Sequence, residues 1–205
     1  MDQLQIREAE IALSKKDKLL GELIARQRLP QLAVRHDYFG SLCRSIVGQQ
    51  VSVAAARAIF ERLTQKTGLT PGRIAEMSVD DIKQIGLSRS KAGYIMDLSE
   101  HFMTNPDVYN HLEHQSDEDV DVIKELTAIK GIGVWTAQMF LIFTLGRIDV
   151  FAPDDVGLFR AMKKLYGWES MPPKDIILAT SLNWQPYRTI ASLHLWQSLN
   201  NDPYQ

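Results

Sequence analysis

Apolar residues recur at helical spacing through most of this chain, and this pattern limits the possible folds more than any other feature. The clearest stripe occupies the i, i+3, i+4, i+7 and i+8 positions of a one-sided helix and consists of Phe39, Leu42, Cys43, Ile46 and Val47. Similar stripes run through residues 53–63, 95–102, 120–129, 158–166 and 190–199. No segment convincingly alternates with the period of two that marks a half-buried strand. The pattern therefore predicts an all-α fold.

Capping residues stand before several of the predicted helices. Asp37 precedes the first stripe, Ser52 follows the break at residues 48–51, and Ser78 with Asp81 has the Ser-x-x-acid form of a capping box. Together the caps and periods predict roughly nine to eleven short helices. The segment from Trp135 to Leu145 is apolar nearly all round, so we expect a buried central helix there, too short to cross a membrane.

Charge and cysteine content exclude several classes of protein. The 205 residues carry 23 Lys and Arg against 25 Asp and Glu, a formal net charge of −2. This balance argues against a polycation that coats nucleic acid, although it allows a local basic face. Cys43 is the only cysteine, which excludes an intramolecular disulfide framework, a cysteine-rich zinc site and a four-cysteine iron–sulfur cluster. With no apolar signal segment at the N-terminus and no apolar run long enough to span a bilayer, we expect a soluble protein of a reducing cytoplasm or nucleoid, without a membrane partner.

The segment 126–137 is the most informative in the chain. Its two glycines, Gly131 and Gly133, lie between two predicted helices, where they allow a sharp turn and the close approach of another molecule to the backbone. The second helix should begin at about Val134, and the N–H groups at its start form a ready anion site, for example for a DNA phosphate. Ile132 should anchor the turn in the core. An ordinary glycine-rich helical turn is the alternative interpretation.

Four motifs in order give the chain a family resemblance. They are residues 46–52 (IVGQQVS), the hairpin with Trp135, residues 150–155 (VFAPDD), and residues 184–188 (WQPYR) followed by 193–196 (LHLW). From about Tyr38 to Trp196 the chain resembles the helix-hairpin-helix DNA glycosylases, and within them the 3-methyladenine DNA glycosylase II branch. The resemblance implies a two-lobed helical fold without the branch's extra N-terminal β-rich domain. We expect one lobe to comprise residues 1–37 and 150–205, and the other to comprise residues 38–149.

The resemblance assigns the catalytic role to an acid after the hairpin. In the family it is the second acid of the Pro-Asp-Asp segment, here Asp155, with Asp154 as the runner-up. Cleavage of an N-glycosidic bond builds positive charge on the sugar, which a carboxylate stabilises while it orients or deprotonates the attacking water. A position at a helix start also favours the ionised carboxylate. The alternative is that both acids only cap that helix, and we expect Asp154 to be mainly a cap.

The resemblance also implies a wedge and a base pocket. Gln50 matches the residue that fills the gap left by the flipped base, and Trp135 and Trp196 match aromatic pocket positions, where indole would attract a cationic alkylpurine. Met139 stands where a relative has tyrosine. The alternatives are a polar loop for Gln49 and Gln50, and a core position for each tryptophan.

Further expectations concern the DNA backbone and the reaction. The hairpin residues Gly131, Gly133, Val134 and Thr136 should hold the DNA backbone. The family also binds a Na⁺ or K⁺ ion through hairpin carbonyls that match Thr127, Ile129 and Gly131. Bifunctional relatives have a nucleophilic lysine where this chain has Trp135, and without a lysine no Schiff base can form. We therefore expect a monofunctional glycosylase that requires no cofactor, acts as a monomer and removes alkylated purines from double-stranded DNA.

Three other functions stay open on the residues alone. The first is a glycosylase of another specificity on the same fold, for mismatched or oxidised bases. The second is a non-catalytic helix-hairpin-helix module that only binds DNA, although binding alone requires neither Asp155 nor the Gln50 loop. The third is a helical protein-interaction domain, which only the near-neutral charge supports. His194 is expected to be structural, since a lone histidine inside a helix is more often a satisfied core residue than a catalyst.

Overall fold

The computed structural model describes residues 2–112 and 119–199, and within them every regular element is a helix. The predicted all-α fold is confirmed. The thirteen helices are α1 (Gln3–Lys16), α2 (Lys18–Ile24), α3 (Tyr38–Gly48), α4 (Val53–Thr67), α5 (Pro71–Ala75), α6 (Val79–Lys83), α7 (Arg89–Thr104), α8 (Pro106–Tyr109), α9 (Asp119–Thr127), α10 (Val134–Phe143), α11 (Val156–Tyr166), α12 (Lys174–Leu182) and α13 (Arg188–Gln197).

The described part of the chain thus has more helices than the nine to eleven predicted. The excess comes from elements such as α5 and α6, with five residues each, and α8, with four. Helices this short span little more than one turn, so their residues cannot display a repeating apolar period. The caps predicted at Asp37, Ser52 and Ser78 are confirmed, because each of these side chains accepts a hydrogen bond from the first turn of the following helix.

The chain forms two compact units. The first comprises the described residues of 1–34 and 141–205, and the second comprises those of 35–140. The dividing points therefore fall before α3 and inside α10, whereas the second predicted boundary, at 149/150, lies beyond the end of α10. Helix α10 is divided because its last residues belong with the first unit, where the ring of Phe143 packs on Trp196 with 5.9 Å between centroids.

The first unit packs the two N-terminal helices with the C-terminal ones. Both α1 and α2 contact α13, and α2 also contacts α11. The apolar residues of its core include Leu13, Leu20, Leu158, Met162 and Leu195. This arrangement gives residues before α3 a share in the unit that carries Asp155 and Trp196.

The second unit is built around α7, which contacts α3, α5 and α6. All five residues of the stripe that opens at Phe39 are buried in this unit, as their period predicts. The apolar spacing does not predict burial correctly at helix starts. Val53 and Val120 are exposed, although they continue stripes of buried residues. A side chain in the first turn of a helix points back beyond the N-terminal end of that helix. It can therefore lie outside the packed surface even though it continues the apolar stripe.

Candidate active site

Asp155 lies between the turn at residues 153–154 and the start of α11. It is the N-cap residue, and its Oδ1 accepts a hydrogen bond of 2.7 Å from the backbone N–H of Leu158. The same oxygen accepts a second hydrogen bond, of 2.9 Å, from the indole Nε1 of Trp196. The residue is 8% exposed. Two donors from different elements therefore hold this carboxylate in one orientation at the edge of the core.

Asp154 has a different environment. Its side chain is exposed and forms an ion pair with Lys174. The expectation that Asp154 is mainly a cap is wrong, because Asp155 occupies the N-cap position of α11. A Pro-Asp-Asp sequence does not show which acid will begin the helix, and here the chain turns one residue later.

A set of polar contacts ties the segment before Asp155 to the start of α13, the helix that carries Trp196. The guanidinium of Arg188 donates to both carboxylate oxygens of Asp149, with Nε–Oδ1 at 2.9 Å and Nη2–Oδ2 at 3.0 Å. The hydroxyl of Thr189 accepts from the N–H of Val150 at 3.0 Å, and the N–H of Thr189 donates to the carbonyl of Ile148. The segment that positions Asp155 and the helix that positions Trp196 are therefore fixed to each other by hydrogen bonds.

Gly157 leaves space for the pair. A Cβ at this position would lie 3.0 Å from Oδ1 of Asp155 and 3.3 Å from the indole ring of Trp196. Any larger residue would thus press on the atoms that join the carboxylate to the indole. Sequence reasoning missed this residue, although a glycine two positions after the candidate acid, in the first turn of a helix, was a visible signal.

The predicted pocket residues differ in exposure. Trp196 and Met139 are each 4% exposed, whereas Trp135 is 46% exposed. Trp135, Met139 and Phe143 recur every four residues along α10, so they form one stripe of that helix. The prediction of a buried central helix holds for residues 136–142 but is wrong for Trp135, which belongs to the first turn.

The predicted hairpin joins α9 to α10 and begins its second helix at Val134, as expected. Gly131 has φ +84, and a Cβ there would lie 2.3 Å from Cδ2 of Tyr94, so both the conformation and the contact require glycine. Gly133 has nothing within 4 Å of a built Cβ. Ile132 is buried between them, as predicted. Packing within the protein therefore explains why residue 131 is glycine. It does not explain Gly133, whose backbone is accessible to another molecule.

The first turn of α10 supplies the predicted anion-binding groups. The N–H of Ala137 donates to the carbonyl of Gly133, so Gly133 stands directly before the helix. The N–H groups of a helix's first turn point out of its N-terminal end, where the helix dipole favours negative charge. Val134 is exposed, whereas the side chain of Thr136 is buried, so any contact from Thr136 to a ligand would be through its backbone.

The Gln49–Gln50 turn connects α3 to α4 in the same unit. Gln50 is exposed and adopts φ +55, a left-handed conformation that is uncommon for a residue with a side chain. The Gln49 amide nitrogen donates to the carbonyl of Gly131 at 2.8 Å. The structure thus joins the predicted wedge turn to the hairpin through Gln49, a residue to which the sequence assigned no role beyond a polar loop.

Comparison with known proteins identifies the family. The sequence profile of the HhH-GPD superfamily of base excision DNA repair proteins matches residues 43–186, a span that includes the Gln50 turn, the hairpin and Asp155. This chain belongs to the HhH-GPD superfamily.

Individual members of the superfamily are similar over most of this chain. The putative DNA-3-methyladenine glycosylase of Bacillus subtilis is 34% identical over 82% of this chain. The chain spans 61% of the length of that relative. DNA-3-methyladenine glycosylase 1 of Schizosaccharomyces pombe is 31% identical, with 94% of this chain and 87% of the relative covered.

Solved structures of superfamily members give the same result. A DNA-3-methyladenine glycosidase from Bacillus halodurans superposes with a TM-score of 0.82 at 38% identity and covers 92% of this chain and 88% of its own. The S. pombe 3-methyladenine DNA glycosylase in complex with abasic DNA has a TM-score of 0.78 at 30% identity, with 97% and 99% of the two chains covered. The predicted family and its helical fold are therefore confirmed.

The carbonyls predicted to hold a monovalent ion lie in this HhH-GPD hairpin. The carbonyl of Ile129 accepts from the N–H of Ile132, and that of Gly131 accepts from Gln49. A carbonyl oxygen has two lone pairs, so one accepted hydrogen bond leaves capacity for a cation. Ile129 and Gly131 therefore keep a lone pair for a cation, and the ion itself stays a prediction. Within the described residues no group of three or more His, Cys, Asp or Glu side chains could hold a metal ion.

His194 lies in the core of the first unit of this HhH-GPD chain. Its Nε2 is 3.2 Å from Oε1 of Glu10, and its Nδ1 is 2.9 Å from the side-chain amide of Gln27. With the amide nitrogen of Gln27 turned toward the ring, it donates to Nδ1, and the ring then donates from Nε2 to Glu10. Burial lowers the pKa of His194 from its ordinary value, against the opposing effect of Glu10. These contacts account for His194 as a neutral structural residue, as expected.

Proposed function

We propose that this protein is a monofunctional DNA glycosylase that hydrolyses the N-glycosidic bond of alkylated purines, of the 3-methyladenine and 7-methylguanine type, in double-stranded DNA. The observation that supports this most is the Asp155 carboxylate, which is nearly buried and held through Oδ1 by Leu158 and Trp196. A module that only binds DNA has no use for an acid fixed in this way by a second element.

The reaction follows from this arrangement. Lengthening of the bond between C1′ and the base nitrogen builds positive charge on the sugar, and the fixed carboxylate of Asp155 stabilises that charge without reorganising. Water then adds to C1′, its proton passes to Asp155 or to solvent, and the products are the free base and an abasic sugar. An N-alkylated purine carries positive charge, so it leaves as a neutral base and needs little protonation by the protein.

The other residues supply binding. The hairpin around Gly133 and the start of α10 would hold a phosphate, Gln50 would fill the gap left by the flipped base, and Trp135, Met139 and Trp196 would line the base pocket. Stacking and cation–π attraction to indole favour an electron-poor alkylpurine over an ordinary base. Within the described residues, no helix is long and apolar enough to cross a membrane. Duplex DNA as substrate would place the protein at the nucleoid of the cytoplasm.

Excision assays test the proposal directly. The purified protein is incubated with duplexes that contain 7-methylguanine, 1,N6-ethenoadenine, hypoxanthine or 8-oxoguanine, each followed by alkali. We expect strand cleavage of the 7-methylguanine duplex only after alkali. Cleavage without alkali would contradict a monofunctional reaction. Cleavage of a different duplex only would show that the enzyme has another base specificity, and DNA binding without base release would show that the protein is a binding module.

The cofactor and assembly proposals need separate measurements. We propose that catalysis needs no cofactor and that a Na⁺ or K⁺ ion held by the carbonyls of Thr127, Ile129 and Gly131 strengthens DNA binding. Replacement of K⁺ by tetramethylammonium at equal ionic strength should then weaken binding, and unchanged affinity would refute the ion. Excision that survives exhaustive chelation supports the absence of a required metal. Sedimentation of the protein with duplex DNA should show one protein molecule per duplex.

A further inference from the structure

The turn that presents Gln50 is held from two sides by residues that the proposed site does not include. The carbonyls at the end of α3 are left without helical partners, as at any helix C-terminus. Lys91, in the first turn of α7, reaches across to them. Its Nζ donates to the carbonyl of Val47 at 2.8 Å and to the carbonyl of Gln49. A cation at the C-terminal end of a helix is also favoured by the helix dipole.

The second attachment comes from the side chain of Gln49. Its amide donates to the carbonyl of Gly131, which lies 82 positions away in the sequence. Gly131 is itself fixed, because the ring of Tyr94 lies against its Cα in the place of a side chain. Gln49 is therefore held through its backbone by Lys91 and through its side chain to a rigid point of the hairpin.

Gln50 follows directly and has a left-handed backbone with an exposed side chain. This conformation persists only where the surroundings impose it. On the other side Ser52 caps α4, with its hydroxyl accepting from the N–H of Ala55. A side chain that fills a gap in a stack of base pairs must keep its position while the neighbouring bases tend to restack. A flexible turn would let that side chain move out of the gap.

We propose that Lys91 and Gln49 are positioning residues that form a clasp, which fixes the backbone of Gln50 for insertion into DNA and joins that insertion to the seating of the hairpin. The inference rests on the proposed glycosylase function. The geometry of the two hydrogen bonds carries this role. Lys91 is half-buried, and this partial burial lowers the pKa of its ammonium group.

The test compares duplex with single-stranded DNA, because filling a gap in the stack matters only in the duplex. Lys91→Met keeps the length of the side chain and removes the donor. Since hydrogen bonds from a charged group are the strong ones, we expect single-turnover excision of 7-methylguanine from duplex to fall by about 10- to 100-fold, with little change on single-stranded DNA. Lys91→Arg should restore most of the rate, and in a Gln50→Ala background Lys91→Met should cost little more.

The matched control is Lys83→Met, which removes a half-buried lysine of the same unit whose ammonium group pairs with Asp80 across one turn of α6. It should leave both rates unchanged. If Lys91→Met lowers the duplex and single-strand rates equally, or if its effect is undiminished without Gln50, the clasp does not act through the wedge and the proposal is refuted. An unchanged duplex rate refutes it as well.

A measurement without DNA separates this inference from the proposed function. Amide hydrogen exchange of residues 49–52 in the free protein should accelerate by roughly tenfold or more in Lys91→Met, as expected when a local closed state loses a charge-assisted bond. It should stay unchanged in Lys83→Met. If the wild type excises no base, the proposed function fails and this exchange still decides whether the clasp holds the turn. Equal exchange in wild type and Lys91→Met overturns the clasp whatever the activity.

Discussion

The two hairpin glycines should respond oppositely to alanine, which makes them a matched pair. Gly131 has φ +84, and the left-handed conformation costs an alanine about 1–2 kcal/mol. A built Cβ also lies 2.3 Å from the ring of Tyr94, and relief of such overpacking costs about 1–3 kcal/mol. Gly131→Ala should therefore lower the free energy of unfolding by about 2–5 kcal/mol. For a chain of this length the corresponding fall in Tm is roughly 4–20 °C.

Gly133 has no such constraint from the protein. Nothing lies within 4 Å of a built Cβ, and its φ is outside the left-handed region. Gly133→Ala should leave the Tm unchanged or raise it slightly, because alanine restricts the unfolded chain and adds about 0.4–1 kcal/mol of stability. If DNA approaches the backbone here, the methyl group stands in its way, and the loss of one charge-assisted contact weakens binding about 10- to 100-fold.

The assay uses thermal unfolding together with binding to a duplex that carries a stable abasic-site analogue. Binding is measured well below the Tm of both variants and at several salt concentrations. Because backbone N–H contacts release no counterions of their own, Gly133→Ala should lower the affinity without changing its salt slope. Full affinity in Gly133→Ala, or a Tm in Gly131→Ala equal to that of the wild type, would refute the reasoning for that glycine.

Three further changes test the acid and the buried histidine. Asp155→Asn should abolish base excision while keeping DNA binding and nearly the wild-type Tm, since asparagine also caps helices; Asp154→Asn is the matched control, and equal rates in the two variants would contradict the assignment. Gly157→Ala should slow excision by moving the carboxylate, with a normal Tm, and an unchanged rate would show that the site tolerates the displacement. The pKa of His194 is lowered on folding, so the unfolded chain binds more protons below a pH of about 6.5. The contribution of His194 to stability therefore falls as the pH drops through that region and does not change with pH above it. Melting curves between pH 7 and pH 5 should show this loss; His194→Gln should flatten it and His36→Gln should not, and an identical slope in all three proteins would exclude His194 as its source.

Some of the site followed from neighbouring residues alone. The stripe that begins at Phe39 forms a helix because its apolar residues share one face, and Asp37 caps it because a carboxylate two or three residues before a helix N–H is within reach of it. The start of α10 at Val134 followed in the same way from the glycines that precede it. Whether the proposed site residues carry out their roles stays a prediction, since fold and family membership do not measure them.

Sequence patterns gave wrong predictions where the outcome depended on a single residue or a single helical turn. Nothing in the Pro-Asp-Asp sequence distinguished Asp154 from Asp155 as the cap, because either acid can begin a helix. The exposure of Trp135 was hidden as well, since an apolar sequence does not show which end of its helix leaves the core.

The amino-acid sequence alone was enough to predict the longer helices, most of their caps, the hairpin and the family, because these depend on residues within a turn or two of one another or on motifs in order. The folded structure was needed to show that Trp196 holds the Asp155 carboxylate from 41 positions away, and that Lys91 holds the turn before Gln50 from 42 positions away. It also decided that Gly157 has to be small. Such contacts depend on which helix faces come together, and the period of an isolated helix carries no information about its partner.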